Sequence, residues 1–103
     1  MKRCELIFNI SSDSVTVSVA ATNAYYGGKD IPKNVTNIVF PNGSIDPWHA
    51  LGVTENISES LIAIFIKGTA HCANMYPPKD SDLPELIAAR EMITRQIGLW
   101  LNK

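Results

Sequence analysis

The sequence predicts an α/β fold built on a parallel sheet, and three observations predict it. Residues 61–66, L-I-A-I-F-I, are apolar at every position, as in a strand buried on both faces of a parallel sheet. Residues 35–40, V-T-N-I-V-F, are β-branched and aromatic and run into Pro41-Asn42-Gly43, a proline followed by a strong turn pair. The twenty residues between these runs exclude a tight hairpin and leave room for a crossover with a short helix near residues 46–52 or 55–60.

Ahead of the first strand, residues 14–20, S-V-T-V-S-V-A, alternate with period two and argue for a half-buried strand, although Val15 and Val19 also fall four apart, as on one helix face. Tyr26-Gly27-Gly28 is turn chemistry, because paired glycines adopt positive φ without steric cost, and Pro32 keeps the chain extended beyond it. After the second strand, Asp82-Leu83-Pro84-Glu85 opens a helix over about 83–101, with Asp82 at the N-cap, Glu85 three residues on and Pro84 in the first turn. Leu86, Ala89, Ile93, Ile97, Trp100 and Leu101 give that helix its buried stripe and leave Arg90, Arg95 and Gln96 for the solvent side. No internal repeat or low-complexity segment interrupts this order.

The 103 residues are 46% hydrophobic and 18% charged, a composition that supports one core and argues against disorder. Net charge is -1 with basic residues scattered along the chain, so neither a nucleic acid nor an acidic lipid is expected as partner. The longest apolar run, 61–66, falls far short of the roughly 18 to 20 residues that cross a bilayer, and no membrane insertion is expected. Met1-Lys2-Arg3-Cys4-Glu5 has the charge of a secretory leader, but Glu5, Asn9 and the serines after it break the apolar stretch that should follow, so no signal peptide is read.

Four Asn-x-Ser/Thr sequons occur, at Asn9, Asn34, Asn42 and Asn56, where eight asparagines and fourteen serines and threonines predict about one by chance. The excess favours a secretory route, and Asn9, Asn34 and Asn56 are carried forward as glycosylation candidates. Cys4 and Cys72 sit far apart and match no metal-site spacing, so each fits a buried thiol or half of a disulfide. With secretory features and no leader read, the chain is expected to be a piece of something longer.

In an open parallel α/β sheet, reactive groups gather on loops leaving the carboxyl ends of the strands. Two such loops are expected here: Asn42-Gly43-Ser44-Ile45-Asp46-Pro47-Trp48-His49 after the first strand, and Gly68-Thr69-Ala70-His71-Cys72 after the second. If the strands are neighbours, Asp46 reaches His71 across one hydrogen bond, an acid orienting a base. A buried carboxylate fixes the imidazole tautomer and stabilises the imidazolium formed when a serine proton is taken. Acid before base also matches the chain order Ser, Asp, His of α/β-hydrolases.

Plainer readings stand beside this one. Asp-Pro is a routine turn initiator, and a histidine after a strand is often only a satisfied polar residue. His49 is a second candidate base, but three positions from Asp46 on the same loop it is poorly placed for a cross-loop bond. His49, His71 and Cys72 supply only three donors for zinc in no recognised spacing, and no metal or cofactor is expected. Trp48 is a candidate substrate-pocket residue or a plain packing residue beside the turn. No G-x-S-x-G elbow or Gly-rich oxyanion loop is present, so the nucleophile is expected elsewhere.

Three ordered blocks carry a resemblance: T-N-A-Y-Y-G-G at Thr22 to Gly28, N-I-V-F-P-N-G-S-I-D-P-W-H at Asn37 to His49, and G-T-A-H-C-A-N-M-Y-P at Gly68 to Pro77, with A-A-R at Ala88 to Arg90 and W-L at Trp100 to Leu101. With these the chain resembles the extreme C-terminus of the serine carboxypeptidase-like prolyl exopeptidases over nearly its whole length. The resemblance implies the C-terminal portion of an α/β-hydrolase catalytic domain, with Asp46 as triad acid and His71 as general base. It also implies a helix over Ser14 to Asn23, against the alternation, and a disulfide partner for Cys4 upstream of this chain.

Family members cleave peptide bonds next to proline from one end of a peptide, in lysosomes or outside the cell. The substrate expected of the complete enzyme is therefore a peptide, while the serine, its oxyanion donors and a helical cap domain are expected outside these residues. Alone, the chain is expected to be inert. The alternative is a non-catalytic truncated protein that associates through an exposed sheet edge.

Overall fold

The computed structural model describes residues 2–28, 31 and 34–102, apart from the side chains of Lys2 and Cys4. It divides into two compact units, Met1–Val35 and Thr36–Lys103. Pro32, expected to hold the chain extended, lies outside the described residues.

The first unit is helical. Helix α1 (Lys2–Phe8) is followed by helix α2 (Ser12–Tyr26). Ser11 starts α2 with extended backbone and a side chain that accepts the Ser14 N–H at 3.1 Å; Gly27 stops it at φ 86, its N–H donating to the Asn23 carbonyl. The period-two alternation at residues 14–20 therefore marks no strand. Its valines line no buried face, since Val17 and Val19 are 67% and 54% exposed, and the caps at both ends define a helix the alternation does not show. The helix implied by the family resemblance is the one observed. Glu5 of α1 receives the N–H and hydroxyl of Ser12 on one carboxylate oxygen, at 2.9 and 2.8 Å, so the end of one helix is tied to the start of the next. The Ser12 N–H, then its hydroxyl, hold the Glu5 carboxyl below the usual range.

The second unit contains the sheet. Strands β1 (Ile38–Gly43) and β2 (Leu61–Ile66) run parallel, in register from Ile38 opposite Leu61 to Gly43 opposite Ile66. β2 has the bounds expected from its apolar run. β1 lies three residues later than the expected 35–40, for two reasons. Asn37 adopts φ 62, which breaks the extended path ahead of Ile38. At the other end Pro41 and Asn42 continue the strand rather than turn it. Parallel pairing uses alternate residues, and Ile38 and Ser44 donate to the Ser60 carbonyl just ahead of β2 and the Ile66 carbonyl at its end; the nitrogen of Pro41, an odd-numbered residue between them, faces away from β2 and loses no ladder bond.

The crossover has less helix than the sequence suggested, a single 3₁₀ segment at Pro47–Leu51. Residues 56–58 instead turn back along the outer edge of β2. The Ile57 N–H donates to the Leu61 carbonyl at 3.0 Å, Ser58 forms an antiparallel bridge with Leu61, and the Asn56 side-chain oxygen accepts the Ala63 N–H at 2.9 Å.

Helix α3 (Pro84–Leu101) covers one face of this sheet. Leu86 and Ala89 are buried with Ile64 and Ile66, and Val39, Ile62, Ala73 and Ile93 pack around them. The expected stripe is thus buried only in its first turns, and Ile97 and Leu101 are largely open. Helix length explains this: eighteen residues run about 27 Å, whereas a six-residue strand runs about 20 Å, so the helix outlasts the sheet beneath it. The opposite face of β2 is less covered, and Phe65 is half exposed. Among the described residues no helix is long and apolar enough to cross a membrane.

The start of α3 also departs from the sequence reading. Leu83 occupies the N-cap without a side-chain bond, and Pro84 takes the first turn. The Asp82 carboxylate accepts instead from the Lys79 N–H and from the Arg90 guanidinium, so Arg90 is a half-buried anchor rather than a solvent-side residue. The Arg90 hydrogen bond, then the Lys79 N–H, outweigh desolvation and depress the Asp82 carboxyl. A group with a lowered folded pKa stabilises above its unfolded value and loses that contribution as pH falls through the folded one. Asp82→Asn is therefore expected to lower the thermal midpoint above about pH 5, with the difference shrinking below about pH 4. Paired melts of both chains across that range are the measurement.

Candidate active site

The site is built where the two parallel strands end side by side. Their pairing continues past the strands: the Ser44 N–H donates to the Ile66 carbonyl at 3.0 Å, and the Ile45 N–H to the Thr69 carbonyl at 3.1 Å. The Ser44 hydroxyl accepts the Gly68 N–H at 2.8 Å, tying the loop after β1 to the loop after β2. Thr69 is buried and its hydroxyl donates to the Ile66 carbonyl at 3.0 Å. The two loops leave the sheet as one bonded layer.

Gly43 sets how closely that layer packs. A Cβ placed there meets the Thr69 carbonyl oxygen and stands 2.6 Å from that of Ala70, so only hydrogen fits. The sequence had read Gly43 as turn chemistry alone, because close approach by a distant backbone leaves no mark in its neighbours.

Asp46 follows at the N-cap of the 3₁₀ segment, with Pro47 in its first turn. Both carboxylate oxygens are used: Oδ1 accepts the Trp48 N–H at 3.0 Å, and Oδ2 accepts from His71 Nδ1 at 2.7 Å. Asp46 is 7% exposed. Burial acts to raise its pKa, but the hydrogen bonds from His71 and the Trp48 N–H, with the charges of His71 and His49, outweigh burial and hold it below the usual Asp range. An ionised carboxylate only accepts, so Nδ1 of His71 carries the proton and the neutral ring offers its lone pair at Nε2. The His71 side chain is 64% exposed. A buried acid holding an accessible imidazole by one nitrogen can take a proton at the other.

His49 is not placed for that role. Its Nδ1 lies 2.6 Å from the Asp46 backbone carbonyl, and its ring meets the Phe65 ring edge-on at 5.3 Å between centroids. Trp48 is mostly exposed and borders a cleft of about 250 Å³ that Asp46, Thr69, His71 and Met75 also line. Asn42 is half-buried and spends its side-chain N–H groups on the Phe40 and Val53 carbonyls, at 3.1 and 2.7 Å, which steadies the loop behind Asp46. Asn9, Asn34 and Asn56 are exposed. Cys72 is an exposed free thiol at φ 56, and the Cys4 side chain lies outside the described residues. Among the described residues no three His, Cys, Asp or Glu side chains gather into a metal-binding group.

Comparison with known proteins adds independent findings. The family model described as serine carboxypeptidase S28 matches residues 1–93. Thymus-specific serine protease of Mus musculus is 41% identical over 102 residues, covering 99% of this chain and 20% of that protein. Its Homo sapiens counterpart is 41% identical over 99 residues, covering 96% and 19%. Lysosomal Pro-X carboxypeptidase of Homo sapiens is 38% identical over 77 residues, covering 75% and 15%. The chain spans about a fifth of the length of the curated relatives it matches, or less.

Proposed function

The chain belongs to the serine carboxypeptidase S28 family, and from that premise we propose that it supplies the triad acid, Asp46, and the general base, His71, of a serine peptidase whose nucleophile lies on another segment. The observation that carries this is the 2.7 Å bond from His71 Nδ1 to a buried Asp46 oxygen at the carboxyl ends of adjacent parallel strands.

In this role Nε2 of His71 takes the proton of the serine hydroxyl as the serine oxygen attacks the scissile carbonyl. The imidazolium then gives that proton to the departing amine. Asp46 stays ionised throughout and stabilises the imidazolium, and its depressed pKa suits that task. The substrate class is a peptide. Cleavage beside proline from a carboxyl terminus is the form suggested by the relative named lysosomal Pro-X carboxypeptidase. That name and the exposed sequons favour a lysosomal or secretory setting.

An active-site fluorophosphonate tests the division of labour. The isolated chain is expected to take no label, because it lacks the serine and the oxyanion donors, whereas a fusion behind the nucleophile-bearing segment of a family peptidase is expected to be labelled. Labelling of the isolated chain overturns the assignment of the nucleophile elsewhere. A folded fusion that stays unlabelled overturns the peptidase assignment.

A further inference from the structure

We propose that Arg90 of α3 is a positioning residue for His71, acting through the loop that follows it. This rests on the peptidase reading above, in which His71 is the base, and it adds a residue that reading does not include.

The His71 side chain is mostly exposed, so packing alone does not hold its ring on Asp46; the path of its backbone does. On the N-terminal side that path is held by the bonds at Thr69. On the C-terminal side Cys72 turns through φ 56 into a 3₁₀ segment at Ala73–Met75, closed by the Met75 N–H donating to the Cys72 carbonyl at 2.9 Å.

Arg90 grips this segment. Its Nε donates to the Asn74 carbonyl at 3.3 Å, and its Nη2 to the Ala73 and Tyr76 carbonyls at 3.1 and 2.9 Å. Nη1 donates to Asp82, whose carboxylate also accepts the Lys79 N–H and so aims the guanidinium. Three consecutive-turn carbonyls beginning two residues after His71 are thus fixed to a helix that is itself anchored in the core by Leu86 and Ala89. A planar fork with five donors can serve three carbonyls and a carboxylate together. A lysine ammonium, with three donors from one point, cannot reproduce that spread.

The test reads the tautomer of His71 in the full chain, with histidine labelled at its ring nitrogens and two-bond proton–nitrogen correlations recorded while the ring is neutral. The wild-type ring is expected to be dominated by the Nδ1–H form. In Arg90→Lys the ratio of Nδ1–H to Nε2–H is expected to fall by about tenfold, the scale of one lost hydrogen bond. His49 is the internal reference: its Nδ1 faces the Asp46 backbone carbonyl and its ratio is expected to stay unchanged. Ile93→Ala, which weakens the core one turn further along α3, controls for general loss of stability and is expected to leave the His71 ratio alone.

Asp82→Ala is measured in parallel because it keeps the guanidinium and all three carbonyls and removes the oxygen, shared by the Lys79 N–H and Nη1, that aims the guanidinium; a smaller fall is expected, and it decides alone if Arg90→Lys does not fold. An unchanged His71 ratio in the folded variants overturns the role of Arg90 and leaves the acid–base pair standing. A wild-type ratio that is low, or that does not respond to Asp46→Asn, overturns the pair itself.

Discussion

Asp46→Asn in a fusion that restores a nucleophile is expected to lower kcat by about 10⁴-fold, with KM little changed. The amide has nearly the shape of the carboxylate, and its oxygen can still take the Trp48 N–H, so the turn after β1 survives. What changes is the partner offered to His71. If the amide oxygen stays on the Trp48 N–H, the amide NH₂ faces Nδ1 and donates to it, which moves the ring proton to Nε2, the nitrogen that accepts the serine proton in the proposed mechanism. The substitution keeps the geometry and inverts the tautomer. Steady-state kinetics on a proline-containing peptide, with circular dichroism to show retained folding, make the comparison. A loss smaller than about tenfold in a folded fusion means that Asp46 is a turn residue and no more, since a wrong tautomer alone costs far more.

Gly43→Ala is expected to have the second-largest effect. The added methyl carbon runs into backbone carbonyls at Thr69 and Ala70, which cannot swing aside as a side chain can. Either β1 and its loop retreat from the loop after β2, or the Thr69–His71 backbone rises; both lengthen the path between Asp46 and His71. Overpacking at such a contact costs about 1–3 kcal/mol, set against a total stability of about 5–15 kcal/mol for a typical domain. A lower denaturant midpoint, together with loss of the Nδ1–H preference at His71, is the expected pair of results. Native stability and an unchanged tautomer mean that the two loops have slack at Gly43.

The contrast between these positions shows what sequence can carry. Asp46 and His71 were legible because each stands just past an apolar or β-branched run, and the carboxyl ends of parallel strands share one rim. β2 was legible to the residue, since six apolar residues in a row admit few alternatives. β1 was displaced because the turn propensity of Pro41 and Asn42 was weighed without knowing which way the proline nitrogen faced, and because Asn37, of a residue type that readily takes positive φ, was counted as part of the β-branched run. Residues 14–20 misled by pattern: alternation reports a sheet face only when one side is buried, and the capping residues Ser11 and Gly27 were the better guide. Arg90 was assigned to solvent by the logic of helix stripes, which sort residues by polarity. Its partners are loop carbonyls, which carry no side-chain signature.

The segment that folds back along β2 has a consequence for how this sheet can grow. The outward carbonyl of Leu61 and the outward N–H of Ala63 are already taken by Ile57 and Asn56, so the first half of that rim cannot template another chain. The two margins therefore differ: β2 is occupied along its first half, whereas alongside β1 Pro41 leaves a gap in the donor row that an incoming strand must accommodate. The sheet thus has one half-blocked margin and one keyed margin, so a strand arriving at either meets an interruption in its ladder.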